Sequence, residues 1–204
     1  MPANQSFTLS SIPAPMTWKN QPSESTNAAG QQISITAGAE SDWFIHPAGG
    51  HVRSNAPIAL FAPPDHAFCL QARVTVEFAA TYDAGTLFVY VHDALWAKLC
   101  FEYSPQKQPM IVSVVTRGVS DDCNSVCVED HSVYLRVYRQ GEVLAFHYSL
   151  DGHYWHFVRH FSLGDLGQMQ IGFSTQSPTG PGCKASFSEI RYTPGTLSDL
   201  RNGE

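Results

Sequence analysis

Side chains that could bind a polar ligand alternate along one segment of the chain. Trp96, Lys98 and Glu102 follow at even spacing, with Cys100 between the last two. Successive side chains of a β-strand point to opposite faces, so these four share a face if the segment is extended. Tyr90, in the preceding alternating stretch, points to the same side of the predicted hairpin. Aromatic rings can pack on a sugar ring, and Lys and Glu can hydrogen-bond its hydroxyl groups. The pattern predicts a groove for a carbohydrate or a related polar ligand.

Three further side chains, from later predicted strands, are expected to extend this groove: Thr116, Arg136 and Arg159. A purely structural explanation fits the same residues. The tryptophan would then pack on the sheet surface, while the charged residues pair across neighbouring strands. The sequence leaves both explanations open.

Catalysis in such a groove would need a second acid beside Glu102. Glycoside hydrolysis uses two carboxyl groups, about 5–5.5 Å apart for retention or about 6.5–9.5 Å apart for inversion. Glu102 is the only acid in the alternating row, and Asp93 lies in the predicted turn. Any reaction would therefore use Glu102 as its acid or base, but the sequence favours a protein that is not an enzyme.

A metal site is the second chemistry to consider. Cys123, Cys127 and His131 are evenly spaced in a polar stretch. A structural zinc site needs four ligands, and no second ligand pair is visible in the sequence. The histidines are dispersed, and no phosphate-binding or dinucleotide-binding glycine motif is present. We therefore expect a solvated loop with neither metal nor cofactor, and a local disulfide between the two cysteines remains an alternative.

Composition limits the partners. The 204 residues are 43% hydrophobic and 15% charged, with a formal net charge of -6. Without a basic cluster, a nucleic-acid partner is not expected. No apolar run approaches the roughly 20 residues that span a bilayer, and the first residues do not resemble a secretory signal. Together with an odd, scattered set of five cysteines, these features predict a cytoplasmic protein without a membrane partner.

The sequence pattern predicts that the segments carrying these residues are all β-strands. Apolar and polar residues alternate in the opening hairpin, over 85–102, and in other short stretches separated by Gly and Pro. Further strands are predicted at 33–37, 57–61, 68–78, 110–117, 133–139, 143–150, 155–161, 168–175 and 185–192. A loop is predicted at 118–131. The pattern indicates an all-β sandwich or barrel in one domain over 1–204, with an irregular or edge-strand segment at 1–32 and a tail at 194–204.

Several short motifs occur in an ordered set between about residues 42 and 192. They are Tyr82-Asp83-Ala84-Gly85, Trp96-x-Lys98 with Glu102, Ser113-Val114-Val115-Thr116, Ser120-Asp121, Tyr134-x-Arg136, Tyr148-Ser149-x-Asp151-Gly152-x-x-Trp155 with Arg159, and Ser177-Pro178 with Gly182. In this order and spacing they resemble the DUF1349 family, which includes proteins labelled as regulators of enolase. The resemblance implies a concanavalin A-like jelly-roll sandwich of two curved antiparallel sheets and brings no established activity. The chain departs from the family pattern at Asp122, where a tryptophan usually follows Ser-Asp.

Three hypotheses about function follow. The preferred one is a lectin-like domain that binds a carbohydrate or related polar ligand on the concave sheet. The second is an enzyme that acts on a glycoside through Glu102. The third, suggested only by the family label, is a protein-interaction module that regulates a metabolic enzyme. The sequence does not specify an oligomeric state.

Overall fold

The computed structural model describes residues 6–28 and 30–204, and their regular structure is entirely β. In most of the strands, apolar residues that face the core alternate with residues on the other face. In chain order the strands are β1 (Thr17–Lys19), β2 (Glu24–Ala28), β3 (Gln32–Gly38), β4 (Trp43–Ile45), β5 (Val52–Ser54), β6 (Ile58–Phe61), β7 (Ala67–Glu77), β8 (Ala84–His92), β9 (Leu95–Tyr103), β10 (Pro109–Arg117), β11 (Val119–Cys127), β12 (Ser132–Gln140), β13 (Val143–Ser149), β14 (His156–Ser162), β15 (Gln170–Gln176) and β16 (Gly182–Pro194).

Two seven-stranded antiparallel sheets face each other. The first sheet has the order β1-β6-β15-β8-β9-β10-β11, and the second has the order β14-β13-β12-β7-β16-β3-β2. Strands β4 and β5 form a separate two-stranded hairpin. This arrangement confirms the predicted jelly-roll sandwich. Among the described residues, none belongs to a helix long and apolar enough to cross a membrane.

The main core fills the space between the two sheets. On β9 the core-facing residues are Ala97, Leu99 and Phe101, as the alternation predicts. Gly85 lies where the two sheets approach closely, because a Cβ atom there would come within 2.7 Å of Val74 Cγ1. Burial of these apolar rows supplies the main driving force for sheet packing.

The first sheet is apolar on its other face as well. Phe88, Trp96 and Cys100 point away from the main core and form a second buried cluster with Trp43 of β4. The Trp43 ring meets the Trp96 ring edge-on, with centroids 6.0 Å apart. The β4–β5 hairpin therefore covers part of this outer face, and β9 is buried on both sides.

Four sequence predictions need correction or refinement. The predicted loop at 118–131 is wrong over most of its length, because β11 pairs with β10. The set of predicted strands leaves out β4 and β5, which pair with each other. In the segment 1–32, β1 pairs with β6 and β2 pairs with β3, while residues 1–5 and 29 lie outside the described residues. The tail after residue 194 packs Leu197 and Leu200 against the outer face of the second sheet.

The alternative of a local disulfide does not fit the strand geometry. Cys123 and Cys127 are both free and exposed. They lie four residues apart on the extended strand β11, which separates them by roughly 13 Å at about 3.3 Å per residue. A disulfide needs Cα atoms about 4.4–6.8 Å apart.

Candidate functional site

A cavity of about 400 Å³ opens on the outer face of the first sheet, beside the β4–β5 hairpin. The sheet supplies its floor, the hairpin supplies one wall, and the turns before β8 and after β15 supply the rim. Its lining residues are Asp42, Phe44, His51, Arg53, Tyr82, Lys98, Glu102, Val114, Asp122, Gln176, Pro178 and Thr179.

Lys98 lies at the floor of the cavity with only 2% of its surface exposed. Its Nζ donates to Asp42 Oδ1 at 2.9 Å and to Gln176 Oε1 at 2.7 Å. Burial alone would lower the pKa of this ammonium group, but the nearby acidic groups, with Asp42 the strongest of them, together more than offset that effect and the pKa is raised. Lys98 therefore stays charged at the base of the cavity.

Glu102 is the next floor residue along β9. Burial raises the pKa of its carboxyl group to about 8, with further raising contributions from the charges of Asp122 and Asp42. The amide of Gln176 donates to Glu102 Oε2 at 3.4 Å and to the Tyr82 carbonyl at 3.1 Å. At neutral pH Glu102 is thus mainly a neutral carboxylic acid, which can both donate and accept a hydrogen bond.

Asp122 enters the same cavity from β11, opposite Val114 of β10. Partial burial raises the pKa of its carboxyl group, and the Asp42 charge acts in the same direction. The cavity therefore contains three carboxyl groups and one buried ammonium group, and only Asp42 is paired directly with that ammonium group.

The β4–β5 hairpin is fastened to the sheet on both sides of Asp42. The Ile45 amide donates to Ser120 Oγ at 2.9 Å, and Ser120 Oγ also lies 2.9 Å from Thr116 Oγ1. On the other side, Ser41 and Ser177 exchange two backbone hydrogen bonds of 3.1 Å. These contacts fix the wall of the cavity relative to its floor.

The rim at Tyr82 is held by the buried carboxylate of Asp83. This carboxylate accepts from the backbone amides of Ala79 and Ala80 at 2.9 and 2.8 Å, and from Ser177 Oγ at 2.7 Å. The turn places Tyr82 at a φ of 71°, an uncommon backbone conformation for a residue with a side chain. The Tyr-Asp-Ala-Gly motif therefore shapes the edge of the cavity.

Of the residues predicted to bind ligand, Lys98 and Glu102 line this cavity. Trp96 shares their face, but it is completely buried beneath Trp43, so it has no surface for a sugar ring. Tyr90 also lies on this face, where its hydroxyl donates to Asp93 Oδ1 at 2.7 Å, and it does not line the cavity.

The other three predicted residues do not join the groove. Thr116 is buried and is engaged with Ser120. Arg136 lies on β12 of the second sheet, where its guanidinium stacks 3.6 Å from the Trp155 ring centre. Arg159 lies on β14 of the same sheet and pairs with Asp121 at 2.7 Å. The prediction that both arginines share a face with Lys98 is wrong, because they belong to the opposite sheet.

Sequence reasoning missed eight polar or aromatic residues of the cavity: Asp42, Phe44, His51, Arg53, Tyr82, Asp122, Gln176 and Thr179. Assignment of β11 as a strand would have placed Asp122 on this face by alternation. Asp42 and Gln176 lie 56 and 78 residues from Lys98 in the chain, and no local pattern brings them together. Within residues 6–28 and 30–204, no three His, Cys, Asp or Glu side chains are grouped to hold a metal ion.

Comparison with known proteins identifies the family. The sequence profile described as Protein of unknown function (DUF1349) matches residues 18–195, so the chain belongs to this family. No curated protein matches the sequence.

Solved structures show the same fold. A functionally unknown protein from Saccharomyces cerevisiae is 25% identical, with a TM-score of 0.81 over 89% of this chain and 97% of that chain. The GH43 BlXynB protein from Bacillus licheniformis is 14% identical, with a TM-score of 0.72 over 88% of this chain and 37% of that chain. A Bacteroides ovatus protein named Xyloglucan PUL GH43B is 15% identical, with a TM-score of 0.68 over 97% of this chain and 40% of that chain. This chain spans less than half of each GH43 protein, and the likeness to them shows the fold alone.

Proposed function

We propose that this chain is a lectin-like domain that binds one sugar unit of a carbohydrate, or a related polyhydroxylated ligand, in the cavity beside the β4–β5 hairpin. The observation that carries the proposal is the linked set of Lys98, Gln176 and Glu102 on the cavity floor. This set combines a charged donor, an amide and a neutral acid at a site where the side chains are largely buried. Such groups suit hydroxyls, each of which both donates and accepts a hydrogen bond.

The Lys98 ammonium has one N–H donor available for a ligand. It has three donors, and two of them are used by Asp42 and Gln176. In the described part of the chain no group takes the third. A ligand hydroxyl at the floor of the cavity would complete this set of hydrogen bonds.

Aromatic side chains at the cavity wall replace the stacking role expected of Trp96. Phe44 projects from β4 and Tyr82 stands at the rim with 41% of its surface exposed. Their rings offer apolar faces to the C–H surface of a sugar ring. A cavity of about 400 Å³ suits a ligand of one or two rings, within the usual size of small-molecule sites.

The test is a panel of mono- and oligosaccharides screened by thermal shift, followed by calorimetry on the saccharide that binds best. Gln176→Ala and Phe44→Ala should each weaken that binding about tenfold or more, since each removes one contacting group. Tyr154→Ala is the matched control, because Tyr154 is 67% exposed in the turn before β14 and does not line the cavity. Absence of binding by every saccharide, or unchanged affinity in both folded cavity variants, would overturn the proposal.

A second candidate function is hydrolysis of a glycoside. It is favoured by the raised pKa of Glu102, because a carboxyl group with a pKa of about 8 can serve as a general acid at neutral pH. Asp122 in the same cavity supplies the second carboxyl group that such a reaction needs. Turnover of aryl glycosides that disappears in both Glu102→Gln and Asp122→Asn would support this candidate. A wild-type protein that binds a saccharide without cleaving any glycoside of the panel would contradict it.

A further inference from the structure

A second cavity, of about 580 Å³, opens at one end of the sandwich. It shares no lining residue with the proposed sugar site. Its walls come from the segment after β6, the end of β8, the segment before β15 and the end of β12. The lining residues are Ala62, Pro63, His66, Val91, Arg139, Gly167, Gln168, Met169 and Gln170.

Arg139 occupies an unusual position beside this cavity. On β12 the residues Val133, Leu135 and Val137 all belong to the main core. Alternation places Arg139 next in the same row, so its side chain enters the space between the two sheets. Only 8% of its surface is exposed.

The protein provides few hydrogen-bond or ion-pair partners for the charged guanidinium of Arg139. Its Nε donates to the Gly141 carbonyl at 2.9 Å, which orients the group. Among the residues that the structure describes, no carboxylate forms an ion pair with Arg139, and neither terminal nitrogen donates to a protein group. Burial lowers the pKa of Arg139, yet an arginine remains charged under all ordinary conditions. The terminal nitrogens are not among the fully buried atoms, so they face the cavity that Arg139 lines. A bound anion there would supply the partner that the described protein groups do not, and a partly buried charge gains from such a partner.

We propose that this cavity binds a small oxyanion, either phosphate or a carboxylate, through the terminal nitrogens of Arg139. The planar guanidinium fork matches two oxygens of either group. His66, Gln168 and Gln170 line the same cavity and offer further hydrogen-bond donors to the remaining oxygens. Asp65, next in sequence to His66, accepts a hydrogen bond from the Tyr192 hydroxyl at 2.9 Å instead of pairing with Arg139.

The test is a titration of the wild-type protein with inorganic phosphate, and separately with acetate, followed by nuclear magnetic resonance. Saturable shifts are expected at the Arg139 Nε–H signal and at the backbone amides of Gly167 and Met169. Arg139→Gln should weaken phosphate binding about tenfold or more. Arg139→Lys should give an intermediate loss, since it keeps the charge but not the fork.

Arg191→Gln is the matched control, because it removes one positive charge from an exposed position on β16. This variant should bind phosphate as the wild type does. Equal loss in Arg139→Gln and Arg191→Gln would show a general charge effect and overturn the proposal. Absence of saturable shifts at Arg139 in the wild type would overturn it as well, whether or not the variants fold.

Discussion

Lys98 of β9 and Asp42, the residue just before β4, form a buried ion pair, with Lys98 Nζ 2.9 Å from Asp42 Oδ1. The side chains retain only 3% and 13% of their exposure. Asp42 Oδ1 also accepts from the backbone amide of Trp43 at 2.7 Å. The pair therefore joins the floor of the proposed sugar site to the hairpin that walls it.

Removal of the ammonium group should be strongly destabilising. Lys98→Met leaves the Asp42 carboxylate buried without its cation, and loss of one partner of a buried pair costs about 3–5 kcal/mol. Urea unfolding measures the change in free energy. The double variant Lys98→Met with Asp42→Asn should recover part of the loss, because no unpaired charge remains. If the double variant is less stable than the sum of the two single losses predicts, this account of the pair is wrong.

The stability should depend on pH through Glu102. Its pKa is about 8 in the folded protein and near the ordinary 4.5 in the unfolded chain, so the folded state binds the extra proton between these values. The contribution of Glu102 to stability should therefore fall as the pH rises from about 4.5 to about 8 and then level off. Unfolding free energies of wild type and Glu102→Gln, measured across this range, isolate the effect as a difference. A difference that is constant with pH would show that the carboxyl group is not shifted.

The Ser120 hydroxyl should stabilise the position of the β4–β5 hairpin. Ser120→Ala removes the acceptor of the half-buried Ile45 amide, and loss of such a hydrogen bond costs about 1 kcal/mol. Limited proteolysis should then cut the hairpin over 43–54 sooner than in the wild type. Ser25→Ala, at an exposed position of edge strand β2, provides the control and should change neither stability nor cleavage.

Gly85 should tolerate no side chain where the two sheets meet. A Cβ atom there would lie 2.7 Å from Val74 Cγ1 and 2.9 Å from Ala185 Cβ, so Gly85→Ala should cost about 1–3 kcal/mol. In a Val74→Ala background the added methyl group gains space, and the cost of Gly85→Ala should be smaller. Thermal unfolding of the four proteins gives the coupling. An equal cost in both backgrounds would rule out the steric explanation.

The strands that were predicted correctly from the sequence are those in which apolar residues alternate with polar ones, so that one face is apolar. In β7, for example, Leu70, Ala72 and Val74 all belong to the main core, as their even spacing predicts. Strand β11 was missed because eight of its nine residues are exposed, so it has no apolar row to mark it as a half-buried strand. Its strand structure comes from pairing with β10, a tertiary effect that the local pattern does not contain.

The candidate site was predictable only in part, for a related reason. Alternation correctly placed Lys98 and Glu102 on one face of β9, and Arg136 was expected to extend the same groove. It could not tell that β12 belongs to the opposite sheet, since strand order is decided by long-range pairing. The contacts of Lys98 with Asp42 and Gln176 depend on the same long-range order.

The burial of β9 on both faces restricts local opening of this strand. Its amides are hydrogen-bonded to β8 and β10, and side chains exclude water from above and below. Amide hydrogens of β9 should exchange with heavy water only when the whole protein unfolds, whereas those of the β4–β5 hairpin can exchange through local opening. We therefore expect the floor of the proposed sugar site to keep one geometry in the free and the bound protein, with adjustment to a ligand confined to the hairpin and the rim.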